Sequence, residues 1–185
     1  MKSIVIFLGL VQLVFGQRIF PFPAFMTNPG ACSFNGPQDA PTLRGENFIE
    51  NYGTNNCLSL KKYAPNRNPI VLQSCSWQKF PTSDQLFFFR NGNGGTILKP
   101  TRGPSAIDSC VAPSFGQQIS AVQCSPKNSD QTWKFTRIRT NLYQIRQISS
   151  GRCLKAESRF DGGNANLQAC NVLDTMQLWR VCTSK

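Results

Sequence analysis

Eight cysteines, nine carboxylates and no histidine set the chemistry open to this chain. Without histidine, the usual Ser-His-Asp and Cys-His arrangements and the commonest general base are missing. The carboxylates stand singly, and no spacing marks a glycosidase pair. The glycine cluster Gly92 to Gly95 lacks the Gly-Lys-Ser/Thr ending of a phosphate loop and reads as a turn. There is no Cys-x-x-Cys and no histidine to complete a mixed zinc site. The expectation is a binding protein, not an enzyme, with no cofactor and no metal.

The remaining reactive inventory is cationic. Lys2, the apolar run Ile4 to Val14 and the small Gly16 before Gln17 resemble a secretory leader over residues 1–16. The run is short for a membrane span and no later segment is longer, so the mature chain is expected to be secreted, extracellular and not transmembrane. Loss of Lys2 leaves 19 basic residues against nine acidic ones, taking the formal charge from +11 to +10. Over half of that excess lies from Lys134 to Lys185. A basic face built from Lys134, Arg137, Arg139, Arg146, Arg152, Lys155 and Arg159 would attract polyanions at long range and lose that attraction with salt.

What must position these groups is a repeat. Gln85-Leu86-Phe87, Gln131-Thr132-Trp133 and Gln177-Leu178-Trp179 share one pattern and are each 46 residues apart. Fixed-period similarity implies a copied supersecondary unit whose copies share a core. Phe87, Trp133 and Trp179 are expected to fill that core, with Gln85, Gln131 and Gln177 tying local backbone. Cys57/Cys75, Cys110/Cys124 and Cys153/Cys170 each precede one signature, so one bridge per repeat is the economical pairing among 105 possibilities. Cys32 and Cys182 are left to join residues 17–47 to the chain end. That segment, with Phe20-Pro21-Phe22-Pro23 and Phe25, is too proline-rich for regular structure and reads as a strap or an arm for a protein partner. Short apolar runs such as Ile70-Val71-Leu72 and Leu142 to Ile148, broken by Asn91 to Gly95 and Asp161-Gly162-Gly163, predict strands. Three all-β repeats are too few for a propeller. They fit a disulfide-stapled β-trefoil over residues 48–182, with repeats at about 48–95, 96–141 and 142–182.

The third repeat, Gly151-Arg152-Cys153-Leu154, then Asn166-Leu167-Gln168-Ala169-Cys170, then Gln177-Leu178-Trp179, resembles the ricin B-type (R-type) lectin β-trefoils. The first repeat has Asn56-Cys57-Leu58 and Val71-Leu72-Gln73-Ser74-Cys75, and the second has Ser109-Cys110-Val111 and Ala121-Val122-Gln123-Cys124. The resemblance implies a sugar-binding aspartate two residues after the first cysteine, where this chain has Ser59, Ala112 and Lys155. It implies an aromatic platform two residues before the second cysteine, where Gln73, Val122 and Gln168 stand. It implies an asparagine before the signature glutamine, where Asp84, Asp130 and Met176 stand. No pocket keeps the set, so glycan binding would use altered pockets. The candidate ligand residues are Asp84, Gln85, Asp130, Gln131, Lys155, Asn166 and Gln177.

Three functions are then in view: a secreted lectin-like carbohydrate-binding module; a toxin-associated or host-interacting binding subunit, resembling in outline the trefoil subunits of cytolethal distending toxins; and a binder of sulfated or acidic polysaccharide through the basic face. Nucleic acid is the weaker version of the last, because a secreted protein seldom meets it.

Overall fold

The computed structural model describes residues 46–61, 68–75, 83–101, 108–125 and 127–183. The expected leader and residues 17–45 of the Phe/Pro-rich segment, with Cys32, lie outside the described residues, while Glu46 and Asn47, expected in that segment, belong to the first strand. Among these residues twelve strands follow, in three groups of four. They are β1 (Glu46–Asn51), β2 (Asn56–Leu60), β3 (Asn68–Ser74) and β4 (Phe87–Gly92); β5 (Gly95–Pro100), β6 (Ser109–Pro113), β7 (Ile119–Gln123) and β8 (Thr132–Arg139); β9 (Leu142–Gln147), β10 (Cys153–Ala156), β11 (Ala165–Gln168) and β12 (Leu178–Thr183). Short 3-10 turns end on Gln85, Gln131 and Gln177. Among the described residues there is no α-helix.

The first and last strand of each group form a ring of antiparallel pairs, β1–β4–β5–β8–β9–β12, which β12 closes onto β1. Closure leaves this barrel without a free edge. The middle strands form the hairpins β2–β3, β6–β7 and β10–β11. These hairpins touch one another through β3–β7 and through bridges from Val71 to Asn164 and from Gln118 to Asn166. A six-stranded barrel with three hairpins is the β-trefoil, and the chain is all-β.

Side-chain alternation explains why these segments sit as they do. In β8, Trp133 and Phe135 are buried while Lys134 and Thr136 are exposed, the two-residue period of a half-buried strand. Between β4 and β5 the chain reverses at Asn93-Gly94, with Gly94 at φ +79°. A Cβ on Gly95 would stand 2.6 Å from the Trp133 carbonyl, so β5 approaches β8 closely only with glycine there.

Phe87, Trp133 and Trp179 are fully buried in one cluster with Leu58, Val111 and Leu154. The two indoles use their polar edge identically: Trp133 Nε1 donates to the Val111 carbonyl and Trp179 Nε1 to the Leu154 carbonyl, each at 3.0 Å. Each signature glutamine is bonded to the residue before the second cysteine of its pair, and Gln131 and Gln177 to the residue after it as well. Gln85, Gln131 and Gln177 donate through Nε2 to the carbonyls of Ser74, Gln123 and Ala169 at 2.9, 2.7 and 2.9 Å. Gln131 and Gln177 also accept from the amides of Ser125 and Asn171 at 2.6 and 2.8 Å. The bridges are Cys57–Cys75, Cys110–Cys124 and Cys153–Cys170, one per repeat. Cys182 is disulfide-bonded as well, and Cys32, its expected partner, lies outside the described residues.

Candidate functional site

Each outer hairpin carries a position two residues past its first cysteine, and the three repeats fill this place differently. In the first, Ser59 is buried and donates to Gln73 Oε1 at 2.7 Å. In the second, Ala112 is buried opposite Ser120, whose hydroxyl meets Ser114 Oγ at 2.9 Å. In the third, Lys155 lies opposite Asn166 in the β10–β11 register, and its ammonium meets Asp174 Oδ2 at 2.9 Å. Asp174 Oδ1 meanwhile accepts the Met176 amide at 3.0 Å and caps the 3-10 turn that carries Gln177. Asn166 donates through Nδ2 to the Glu157 carboxylate.

The third repeat therefore gathers an ammonium, two carboxylates and a carboxamide on one hairpin and its flanking loop. Lysine supplies donors alone and an ionised carboxylate supplies acceptors alone, so the cradle offers both polarities. The Lys155–Asp174 pair is part-exposed, at 34% and 22% of its side-chain surfaces. Pairs this open are worth about 0–1 kcal/mol, so little is lost when a ligand parts them. The loops that carry Glu157 and Asp174 also carry Phe160 and Leu173, 80% and 86% exposed.

Of the candidate ligand residues, Lys155 and Asn166 fall in this cradle. Gln85, Gln131 and Gln177 are buried and spend their amides on backbone. Asp84 lies beside Gln85, half-buried, and Asp130 is exposed at the start of the second repeat's closing turn. Glu157 and Asp174 were not singled out by sequence. A signal for Asp174 existed: it lies 46 residues after Asn128, whose side chain caps the equivalent turn by accepting the Asp130 amide at 2.9 Å.

The seven cations of the expected basic face are distributed. Lys155 is engaged by Asp174, and Arg159 sits on the β10–β11 loop, where its carbonyl accepts from Asn56 of the first repeat. Lys134 and Arg146 are direct cross-strand partners on the exposed side of β8 and β9. Arg152 follows in the next turn, while Arg137 and Arg139 are exposed at the far end of the same hairpin. Among the described residues no group of His, Cys, Asp and Glu is arranged to hold a metal, and no helix is long and apolar enough to cross a membrane.

A model of the ricin-type β-trefoil lectin domain matches residues 46–179. Human polypeptide N-acetylgalactosaminyltransferase 6 is 26% identical over 147 residues; the match takes in 77% of this chain and 21% of that enzyme, so the chain spans about a fifth of this relative. A Macrolepiota procera ricin B-like lectin, solved with lactose, superposes with a TM-score of 0.61 at 16% identity, covering 77% of this chain and 99% of that one. ThreeFoil, a designed threefold-symmetric protein, gives 0.62 at 16% identity over 76% of this chain and all of its own.

Proposed function

The chain belongs to the ricin-type β-trefoil lectin family, and we propose that it is a secreted carbohydrate-binding module that holds glycans at the outer hairpin of its third repeat. The supporting observation is the cradle of Lys155, Asp174, Asn166 and Glu157. The equivalent places in the other repeats hold Ser59, already bonded to Gln73, and the apolar Ala112. A sugar hydroxyl both donates and accepts, so it can enter between Lys155 and Asp174 and satisfy each. Phe160 and Leu173 then offer apolar surface to the C–H face of the ring. The acid stands across from where the family pattern puts it, so the sugar is held in a different orientation from that of a pocket with the aspartate on the hairpin.

Titration of the full chain with neutral galactosides and N-acetylhexosamines tests this reading. Asp174→Asn keeps an oxygen to cap the 3-10 turn but loses the charge facing Lys155. It and Lys155→Ala are each expected to weaken binding at least about tenfold, the loss of one charge-assisted hydrogen bond. Undiminished binding in both variants would move the site elsewhere.

A further inference from the structure

The barrel has three threefold-related joints, each made by the residue after the signature aromatic and its cross-strand partner. At the joint of the third and first repeats the pair is Arg180 with Glu50, bonded at 3.0 Å. At the joint of the first and second it is Phe88 with Lys99. At the joint of the second and third it is Lys134 with Arg146, two cations directly opposed. Residues so placed have Cβ atoms about 4.5–5.5 Å apart, and like charges there are destabilising. The Arg146 guanidinium lies against Gly151, so close that a Cβ there would stand 2.8 Å from it, and the exposed Arg152 is the next residue of the chain. None of Lys134, Arg146 and Arg152 has an acidic partner within salt-bridge distance among the described residues.

We propose that the Lys134–Arg146–Arg152 cluster is a second binding site, which takes a sulfated polysaccharide. The position that closes the barrel with an internal ion pair at one joint is left here with uncompensated charge, and an external polyanion supplies the missing counter-charge. Arg139 extends the cations along the hairpin. Lys134 and Arg139 stand opposite Arg146 and Leu142, four steps of β9 or about 14 Å at about 3.4 Å per residue, a length suited to a linear polymer and not to a single small ion. Exposed arginine and lysine heads suit sulfate, since charge-assisted hydrogen bonds to its oxygens are the strong kind. Nucleic acid fits less well, because single strands are held by stacking on aromatics, and the exposed aromatics among the described residues, Phe88 and Phe160, lie on β4 and on the β10–β11 loop.

This site shares no residue with the third-repeat cradle, so each is tested by its own substitutions. Binding of the full chain to heparin is measured over a series of sodium chloride concentrations. Lys134→Gln/Arg146→Gln is set against Lys99→Gln/Arg159→Gln, which removes equal charge elsewhere. The native chain is expected to bind with steep salt dependence. The first variant should lose at least about tenfold in affinity and about two from the slope of log affinity against log salt, while the second stays close to native. Equal losses in both double variants would mean diffuse charge and overturn the site. Absence of heparin binding at low salt would overturn it too, as would single-stranded DNA binding as tightly as heparin. Native-like thermal unfolding of each variant excludes loss of fold as the cause.

Discussion

The joint between the third and first repeats and the joint between the second and third are the same piece of barrel solved two ways. Both set an apolar pair, Ile49 with Val181 or Phe135 with Ile145, beside a pair of charged side chains on the outer face. At the first joint Glu50 is buried and held by Arg180, whose guanidinium also lies over the Tyr52 ring at 4.9 Å. At the second, both partners are cations in the open. The inner rows must interlock around a common axis and so stay alike. The outer row has no such duty, and there the repeats diverge into a stapled seam on one side and a charged surface on the other.

If the cores are equivalent, breaking them should cost the same whichever joint they lie behind. Trp133→Ala and Trp179→Ala each remove a fully buried indole. Each should lower unfolding free energy by about 3–5 kcal/mol, the usual cost of such a truncation. Each also strips a carbonyl, of Val111 or Leu154, of its donor. Urea midpoints check this, and costs differing by more than about 2 kcal/mol would break the equivalence.

The outer rows should then separate the joints. Arg180→Ala strands a buried carboxylate and is expected to cost about 1–3 kcal/mol, whereas Lys134→Ala relieves a like-charge contact and should change stability by no more than about 0.5 kcal/mol. Glu50 adds a pH signature. Burial raises its carboxyl above the usual value, and the charge and hydrogen bond of Arg180 pull it part of the way back. With a raised folded pKa the native state holds the proton longer than the unfolded chain does. Its contribution is therefore fully present below the ordinary carboxylate range and is lost as pH rises through the raised value. Glu50→Gln should flatten that decline in a series of urea midpoints, and profiles parallel to native would show that Glu50 is not its source.

How much of this was legible in the chain follows from the same division. The 46-residue period pointed to the β-trefoil through Phe87, Trp133 and Trp179, because inward positions obey one geometric rule in every repeat. Gln131 was readable for the same reason, since a short backbone clamp travels with its motif. Pairings across a joint were not. That Lys134 faces Arg146 depends on where the β8–β9 hairpin turns and on the register shift between Arg137 and Arg139, which sequence spacing does not expose. The 46-residue offset from Asn128 marked Asp174 as a turn cap, but not its pairing with Lys155, since Ser59 and Ala112 at the equivalent places of the other repeats carry no charge to pair. Lys155 and Arg159 are near the other cations along the chain, but spacing does not show that Asp174 engages Lys155 or that the Arg159 carbonyl meets Asn56 of the first repeat.

The smallest expected effect is the most discriminating. Arg146→Glu places a carboxylate opposite Lys134 and copies onto the second joint the complementarity that Arg180 and Glu50 have at the first. An exposed cross-strand ion pair replacing a like-charge pair should stabilise the fold by about 0.2–1 kcal/mol, a rise in urea midpoint that high salt should erase. If the open joint carries charge in order to bind a polyanion, the same substitution should abolish heparin binding while the protein grows more stable. A variant more stable and still fully retained on heparin would separate the charge pattern from binding. One less stable than native would mean that the two joints are not the same structure with different outer residues.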